Sequence, residues 1–306
     1  MHQAQVEAWG SAPRYISVPD LPPPAEDEIR IKVLAAGVHQ VVRSRASGKH
    51  YTSGTPPHIP GVDGIGETED GKRVYWFSLD RGCFAEWVNM PKRNIRMLPE
   101  GTDPVQAAAV INPALSSWMA FQSRVNLPLP QGFSVLILGA TLASGRVAVE
   151  IARGFGAGKV VGVARDRGKL GSVEGLDERI VVAEKVEETD FSKFGDVDVI
   201  LDYVYGPLGA HCLASLMSRK PTSYVHIGML SGQDLVLPGA VIRSKNLTIR
   251  GSGPGSWAMH EMAESIDGLL GLVKRIPKQP IKAAKLEDIE TVWGEGVKEG
   301  RLVFVP

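Results

Sequence analysis

The chain has 306 residues, enough for two domains of ordinary size. Hydrophobic residues make up 43% and charged residues 22%, and 34 Lys plus Arg against 34 Asp plus Glu give a formal net charge of zero. That is the composition of a soluble globular protein, without the basic footprint of a nucleic-acid or acidic-membrane partner.

The apolar runs are far too short to span a bilayer, and Met1 to Gly10 lacks the basic and apolar regions of a signal peptide. Two cysteines, Cys83 and Cys212, give no disulfide framework and exclude a four-cysteine zinc lobe. These features together point to the reducing cytoplasm.

In chain order, residues 1 to about 115 read as short β segments between turns. Pro19, Pro22, Pro23 and Pro24 form an extended connector. Glu28 to Ala36 follows as a strand, with Ile29, Ile31 and Val33 on one face, and Gly82 to Met90 is a second strand candidate. The pattern changes around Asp103. Pro104 to Ile111 is alanine-rich, and Ser116 to Arg124 reads as helix. Strands and helices then alternate, which is the signature of a parallel α/β sheet. Val197 to Tyr203, Ser223 to Gly228 and Leu247 to Arg250 read as its later strands. A helix candidate, Trp257 to Lys274, leads to a tail ending GRLVFVP, and no internal repeat is present.

The most informative stretch is VLILGATLASGRVAVEIARGFGAGKVVGVARDR, from Val135 to Arg167. The apolar run Val135 to Leu138 meets a small-residue turn, Gly139 to Gly145. A helical pattern carries Val147, Ile151 and Phe155 four residues apart, and a second apolar run, Val160 to Val163, stops at Ala164 and Arg165. Strand, tight turn, helix and strand make the first βαβ unit of a Rossmann dinucleotide-binding sheet, in which backbone N–H groups at a helix N-terminus receive a pyrophosphate. The three positions that usually carry glycine hold Ala140, Leu142 and Gly145 here. Leu142 places a bulky side chain where the backbone is expected to touch the pyrophosphate; Thr141, Ala143 and Ser144 complete the turn.

The end of the second strand bears on the choice of cofactor. An NAD site usually has Asp or Glu there, to accept from the ribose hydroxyls. This chain has the neutral Ala164 and then Arg165, Asp166, Arg167, Gly168 and Lys169. Cations after a neutral residue suit a 2′-phosphate, because guanidinium donors match phosphate oxygens. The expected cofactor is therefore NADPH, and a solvated basic loop is the bland alternative.

With these pieces in order, the chain resembles the medium-chain dehydrogenase/reductase superfamily, and within it the zinc-independent quinone oxidoreductase and enone reductase branch. The resemblance rests on AAGVHQVVRSRASG (Ala35 to Gly48), PPHIPGVDGIGE (Pro56 to Glu67), GCFAEWVNMP (Gly82 to Pro91), NPALSSWMAF (Asn112 to Phe121), DVDVILDYV (Asp196 to Val204) and YVHIGMLSG (Tyr224 to Gly232), together with the glycine turn. It implies a β-rich GroES-like catalytic domain over residues 1–115, completed by 254–306, and a Rossmann domain over 116–253. It also implies a homodimer joined through the edges of the Rossmann sheets.

Zinc divides the superfamily. The usual second ligand is a histidine where this chain has Val62, in Pro60-Gly61-Val62-Asp63, and the usual first ligand corresponds to His39. Valine cannot ligate a metal, so no metal is expected, although His50, His58 and Cys83 lie nearby in sequence. Without a Lewis acid to ease alcohol oxidation, hydride addition to a conjugated alkene or quinone is the better expectation.

The resemblance places His39 beside the nicotinamide as a hydrogen-bond donor or proton source, and puts Tyr51, in SGKHYTSG, on a loop at the substrate pocket. Ser116 matches a hydroxyl residue that contacts the nicotinamide ribose or amide. Gly228, Met229 and Leu230 end one parallel strand, Tyr203 and Val204 another, and Gly251 and Ser252 a third; these are the carboxyl ends at which such sheets bind ligands. Val42 stands where many relatives carry an acid, and Ile65 to Tyr75 is shorter than usual. The reading is an NADPH-dependent reductase of an α,β-unsaturated carbonyl or quinone. A carbonyl reductase or alcohol dehydrogenase remains an alternative, as does a nucleotide-binding protein without turnover. If the Leu142 side chain obstructs the pyrophosphate, Leu142→Gly tightens NADPH binding.

Overall fold

The computed structural model describes residues 1–217, 219–295 and 300–306. The chain divides into a first unit, Met1–Asn112 with Ile266–Pro306, and a second, Pro113–Ser265.

The first unit opens with β1 (His2–Gln5) and β2 (Arg14–Ser17), an antiparallel pair. It continues with β3 (Glu28–Gly37), α1 (Gln40–Ala46), β4 (Asp63–Thr68), β5 (Arg73–Phe77), β6 (Trp87–Pro91) and β7 (Ile95–Met97). Strand β3 is the spine: it pairs antiparallel with both β4 and β6. Its alternation holds in the first half, where Ile31 and Val33 are buried and Lys32 is exposed. Near its end Ala35, Ala36 and Gly37 are all buried, because neighbours close over both faces.

One expectation changes here. The strand expected over Gly82 to Met90 begins only at Trp87. Residues 82–84 are held as a loop, since the Cys83 and Phe84 N–H groups both donate to the Pro60 carbonyl and the Cys83 thiol donates to the Asp63 carbonyl at 2.8 Å. The short segment from Ile65 to Tyr75 is a closed β4–β5 hairpin, turned on Gly71 (φ +78°) and tied by Thr68 N–H to the Lys72 carbonyl at 3.0 Å.

Helix α2 (Pro104–Ser123) runs unbroken through the alanine-rich stretch and the segment after Pro113. It spans the first change of unit. Proline removes the helical hydrogen bond to the residue four before it, and the helix runs on; in the following turn Ser116 Oγ donates to the Pro113 carbonyl at 2.6 Å and Ser117 Oγ to the Ala114 carbonyl at 3.0 Å.

The second unit contains β8 (Ser134–Leu138), α3 (Ala143–Gly154), β9 (Lys159–Ala164), α4 (Arg167–Gly171), β10 (Glu178–Val181), β11 (Val199–Asp202), α5 (Gly206–Ser215), β12 (Thr222–His226), α6 (Gly239–Ser244) and β13 (Leu247–Gly251), and α7 (Met259–Leu272) runs out of it. All strand pairs are parallel, in the order β10-β9-β8-β11-β12-β13. The order reverses between β8 and β11, which makes the crevice at their carboxyl ends the binding position of a doubly wound sheet. Leu136, Leu138, Val161, Val163 and Ile200 are buried between the helices, as expected of strands covered on both faces. Each such side chain contributes about 1.5–3 kcal/mol of burial.

The chain then returns to the first unit as β14 (Ile281–Lys285), α8 (Ile289–Val292) and β15 (Arg301–Val305). Strand β15 lies parallel to β14 and antiparallel to β3, with Val303 opposite Gly37 and Phe304 opposite Ala36. Both changes of unit, after Asn112 and after Ser265, fall inside helices, whereas the sequence places them at 115 and 253. The helix runs on through each change, so neither coincides with a break between elements.

Candidate functional site

In the second unit the glycine turn is built by close approach. The Gly139 and Ala140 N–H groups both donate to the Val163 carbonyl, at 2.9 and 3.1 Å. Gly139 has φ +89°, and a Cβ on Gly145 would stand 2.2 Å from the Gly139 carbonyl oxygen. Both glycines are therefore required by the backbone, whereas Ala140 is simply buried. Leu142 is the N-cap of α3, with φ −68° and ψ 155°, and no side chain caps the helix. The first N–H groups of α3, from Ala143, Ser144 and Gly145, thus have no helical acceptor and suit an anion.

The Leu142 side chain packs against the apolar core of the sheet and lies beside Gly139 and Val204. Thr141 contributes its carbonyl to Arg146 Nε at 3.2 Å. Arg146 also reaches the Lys169 carbonyl at 3.4 Å and Ser172 Oγ at 3.2 Å, so it ties the glycine turn to the basic segment. Sequence reasoning missed this residue. Its signal was a cation in the first turn of a helix, where the macrodipole disfavours positive charge unless an anion joins it.

At the end of β9, Asp166 caps α4 by accepting from the Lys169 N–H at 2.9 Å, so its charge is committed to the helix. Arg165 Nη2 approaches Ser231 Oγ at 3.5 Å, and Arg165, Arg167 and Lys169 are all exposed.

The ends of β11 and β12 are locked together. Asp202 is fully buried. Its Oδ1 accepts from the Val204 and Tyr205 N–H groups, each at 2.8 Å, and its Oδ2 accepts a short hydrogen bond from the Tyr224 hydroxyl. Burial raises the Asp202 carboxyl above its usual range against these donors, and burial beside that carboxylate pushes the Tyr224 phenol far up. The Ile227 and Gly228 N–H groups donate to the Asp202 carbonyl at 2.8 and 3.1 Å. A Cβ on Gly228 would stand 2.6 Å from the Tyr203 carbonyl oxygen. Tyr205 has φ 60° and ψ −163°, a region essentially reserved for glycine that costs other residues about 1–3 kcal/mol.

The remaining expected positions surround this lock. The buried Tyr203 hydroxyl lies by Ser116 and Ser117, and burial pushes its pKa up to about 12. Met229 and Leu230 are exposed. The Gly251 position ends β13, and Ser252 N–H donates to the His226 carbonyl at 2.8 Å. The Ser252 Oγ is buried without a hydrogen-bond partner among the described residues. The uncapped α3 turn, the two obligatory glycines and this unengaged hydroxyl fit a dinucleotide.

In the first unit, His39 and Tyr51 occupy different settings. His39 is the N-cap of α1 but does not cap it. Its ring folds over Gly37, where a Cβ would stand 2.6 Å from Nε2, and it is 2% exposed. Nε2 lies 3.3 Å from Asp63 Oδ1 at an oblique angle. Burial lowers the His39 pKa; Asp63 opposes this and Arg301 adds to it, so the ring is held neutral at neutral pH.

Tyr51 is 70% exposed and stacks on His50 at 4.2 Å. Partial desolvation of its hydroxyl raises its phenol pKa. Arg45 anchors that loop, donating to the Thr52 carbonyl at 2.6 Å and to the Leu79 carbonyl. Among the described residues no group of three or more His, Cys, Asp or Glu is arranged to hold a metal ion.

No family model matches the chain. A probable NADPH-dependent quinone reductase of Emericella nidulans, tdiC, is 35% identical over 100% of both chains. The chain belongs to the quinone oxidoreductase branch of the medium-chain dehydrogenase/reductase superfamily. Two other relatives in that superfamily are more distant. Human quinone oxidoreductase is 30% identical over 65% of this chain and 60% of its own. The 2-methylene-furan-3-one reductase of Solanum lycopersicum is 25% identical over 95% of this chain and 74% of its own. Among solved structures, the quinone oxidoreductase of Thermus thermophilus, also determined with NADPH, superposes with a TM-score of 0.84 over 100% of both chains at 25% identity. Membership of the branch accounts for both sheets of this quinone oxidoreductase relative: the parallel sheet of β8–β13 and the separate β-rich sheet around β3.

Proposed function

We propose that this chain is an NADPH-dependent, zinc-independent reductase that delivers hydride to a quinone or an α,β-unsaturated carbonyl. The observation that carries the reading is the uncapped first turn of α3 beside the obligatory Gly139 and Gly145, flanked by Arg165, Arg167 and Lys169 with no acid at the end of β9. The names of the quinone reductase and furanone reductase relatives support the same chemistry.

Residues 143–145 hold the pyrophosphate through backbone N–H groups, and the three cations after Ala164 hold the 2′-phosphate. Tyr203, Val204, Gly228, Met229, Leu230, Gly251, Ser252 and Ser116 line the remainder of the dinucleotide. NADPH supplies the hydride when bound. The chain supplies binding, orientation and the proton.

His39 and Tyr51 are the residues assigned to polarising the oxygen and delivering that proton, directly or through water. A neutral His39 donates a hydrogen bond without becoming a buried cation, and Asp63 orients its ring. Val62, buried where a zinc enzyme needs a ligand, supports the zinc-independent assignment. We further assign the protein to the cytoplasm, where Cys83 and Cys212 stay free thiols, and to a homodimer joined along the edge strand β13, where Ile249 is exposed.

The test is a fluorescence titration with NADPH and NADH, followed by NADPH oxidation with a simple quinone. Micromolar NADPH affinity, much weaker NADH affinity and quinone-dependent oxidation are expected. Binding without turnover refutes the reductase, and equal affinity for both nucleotides refutes the basic-segment argument.

A further inference from the structure

The tip of the loop after α1 is held by a histidine ring that accepts rather than donates. The Thr52 N–H donates to His50 Nδ1 at 3.2 Å, and Thr52 Oγ1 lies 2.8 Å from the same nitrogen. Arg45 Nη1 donates to that Oγ1 at 2.5 Å, which leaves the Thr52 hydroxyl proton to point at Nδ1. Two donors thus meet at one lone pair, and His50 is the neutral tautomer with its proton on Nε2. The stem of the loop is tied by backbone instead: Lys49 N–H donates to the Ser44 carbonyl at 3.1 Å, and Ser53 N–H to the His50 carbonyl at 2.8 Å.

The surroundings are poor in compensation for a second cation. Arg45 comes from α1, is buried, and spends its donors on Thr52 and the Leu79 carbonyl; Asp80 is the acid whose charge reaches it. His58 packs against Trp9 with centroids 5.7 Å apart, and Trp9 covers Gly48, where a Cβ would stand 2.7 Å from the indole Cδ2. Burial and the Arg45 charge lower the pKa of both His50 and His58. On the loop itself Tyr51 stacks on His50, and Lys49 is exposed.

We propose that residues 47–53 form an acid-sensitive latch, closed while His50 Nδ1 accepts from Thr52 and opened, with release of Tyr51, when that nitrogen takes a proton. The imidazolium carries N–H on both nitrogens, so the Thr52 N–H loses its acceptor and a second cation stands beside Arg45. Both costs fall on the closed loop alone. Its His50 pKa therefore lies below the ordinary 6.5, and opening takes up a proton as pH falls. His58 shifts in the same direction, but it is held through its backbone, which pairs with Val6 at 2.8 and 2.9 Å. The latch belongs to the first unit and stands apart from the cofactor reading.

The experiment follows hydrogen exchange of the Thr52 amide and the ring nitrogens of His50 by NMR, in wild-type protein, His50→Asn and His50→Phe. An asparagine side chain accepts from the N–H two residues on without titrating, so H50N keeps the latch shut, whereas H50F keeps a ring against Tyr51 and offers no acceptor. In wild type the expected protection of Thr52 falls by up to about tenfold per pH unit from about 6.5 toward the folded pKa. H50N stays protected across that window and H50F is unprotected throughout. Constant protection in wild type overturns the latch. A fall in H50N that matches wild type also overturns it, since another group then drives the opening. A proton found on Nδ1 at neutral pH removes its basis.

Discussion

Removing one hydroxyl tests whether the Asp202 lock is as strained electrostatically as its surroundings imply. In Tyr224→Phe the ring stays in its fully buried place, but Asp202 Oδ2 loses its donor while Oδ1 keeps the Val204 and Tyr205 N–H groups. A hydrogen bond to a charged group contributes about 1.5–3 kcal/mol, and a unit of this size shifts about 2–4 °C per kcal/mol, so Tm falls by roughly 3–12 °C. The loss carries a pH signature. Burial raises the folded pKa of Asp202 above its unfolded value of 3.8, and the Tyr224 bond works against that rise. A raised carboxyl contributes stability at low pH that is lost as pH climbs through the folded pKa. Y224F raises that pKa further, so its deficit is smaller at about pH 5 than at about pH 8. Thermal unfolding followed by circular dichroism at both pH values reads the difference. An unchanged Tm, or the same deficit at both, refutes the picture of a buried carboxylate that depends on the phenol.

Two further outcomes concern the Leu142 and His39 side chains. Leu142→Gly is expected to lower Tm and not to tighten NADPH binding, because the leucine packs on the sheet core beside Gly139 and Val204; tighter binding in a titration refutes this. The buried His39 has a folded pKa below its unfolded value of 6.5, so the unfolded chain takes the proton first and stability is lost as pH falls from about 6.5 toward the folded value. The slope from this one group is at most about 1.4 kcal/mol per pH unit, and His39→Gln removes it. Urea midpoints measured across that window check this, and parallel slopes for wild type and variant count against it.

Much of the second unit was legible in the sequence because its strands are buried on both faces. Val135 to Leu138 and Val160 to Val163 read as strands from composition alone, and the small-residue turn between them has one backbone solution. Residues 82–84 were read as strand because their spacing permits it, and only the distant Pro60 and Asp63 carbonyls decide otherwise. Pro113 conceals a continuous helix, because an interior proline reads as a break although the helix runs through it. Asp202, Tyr224 and Tyr205 were invisible as a group, because they meet only through the register that sets Asp202 opposite His226 and the turn that follows. Arg146 carries a readable signal, a cation in the first turn of α3.

Strand β15 has a consequence for the order in which the molecule is made. Its Val303 and Phe304 are wholly buried and sit between β14 and β3, in a sheet whose strands β3, β4, β5 and β7 are synthesised long before. During synthesis, residues 1–112 wait with the edge of β3 open until the chain has been extended by nearly two hundred residues, whereas Pro113–Ser265 is contiguous and can close as soon as it emerges. The β-rich unit is therefore the late-folding one, and its long-range closure is the step at which an exposed edge invites pairing with a neighbouring chain.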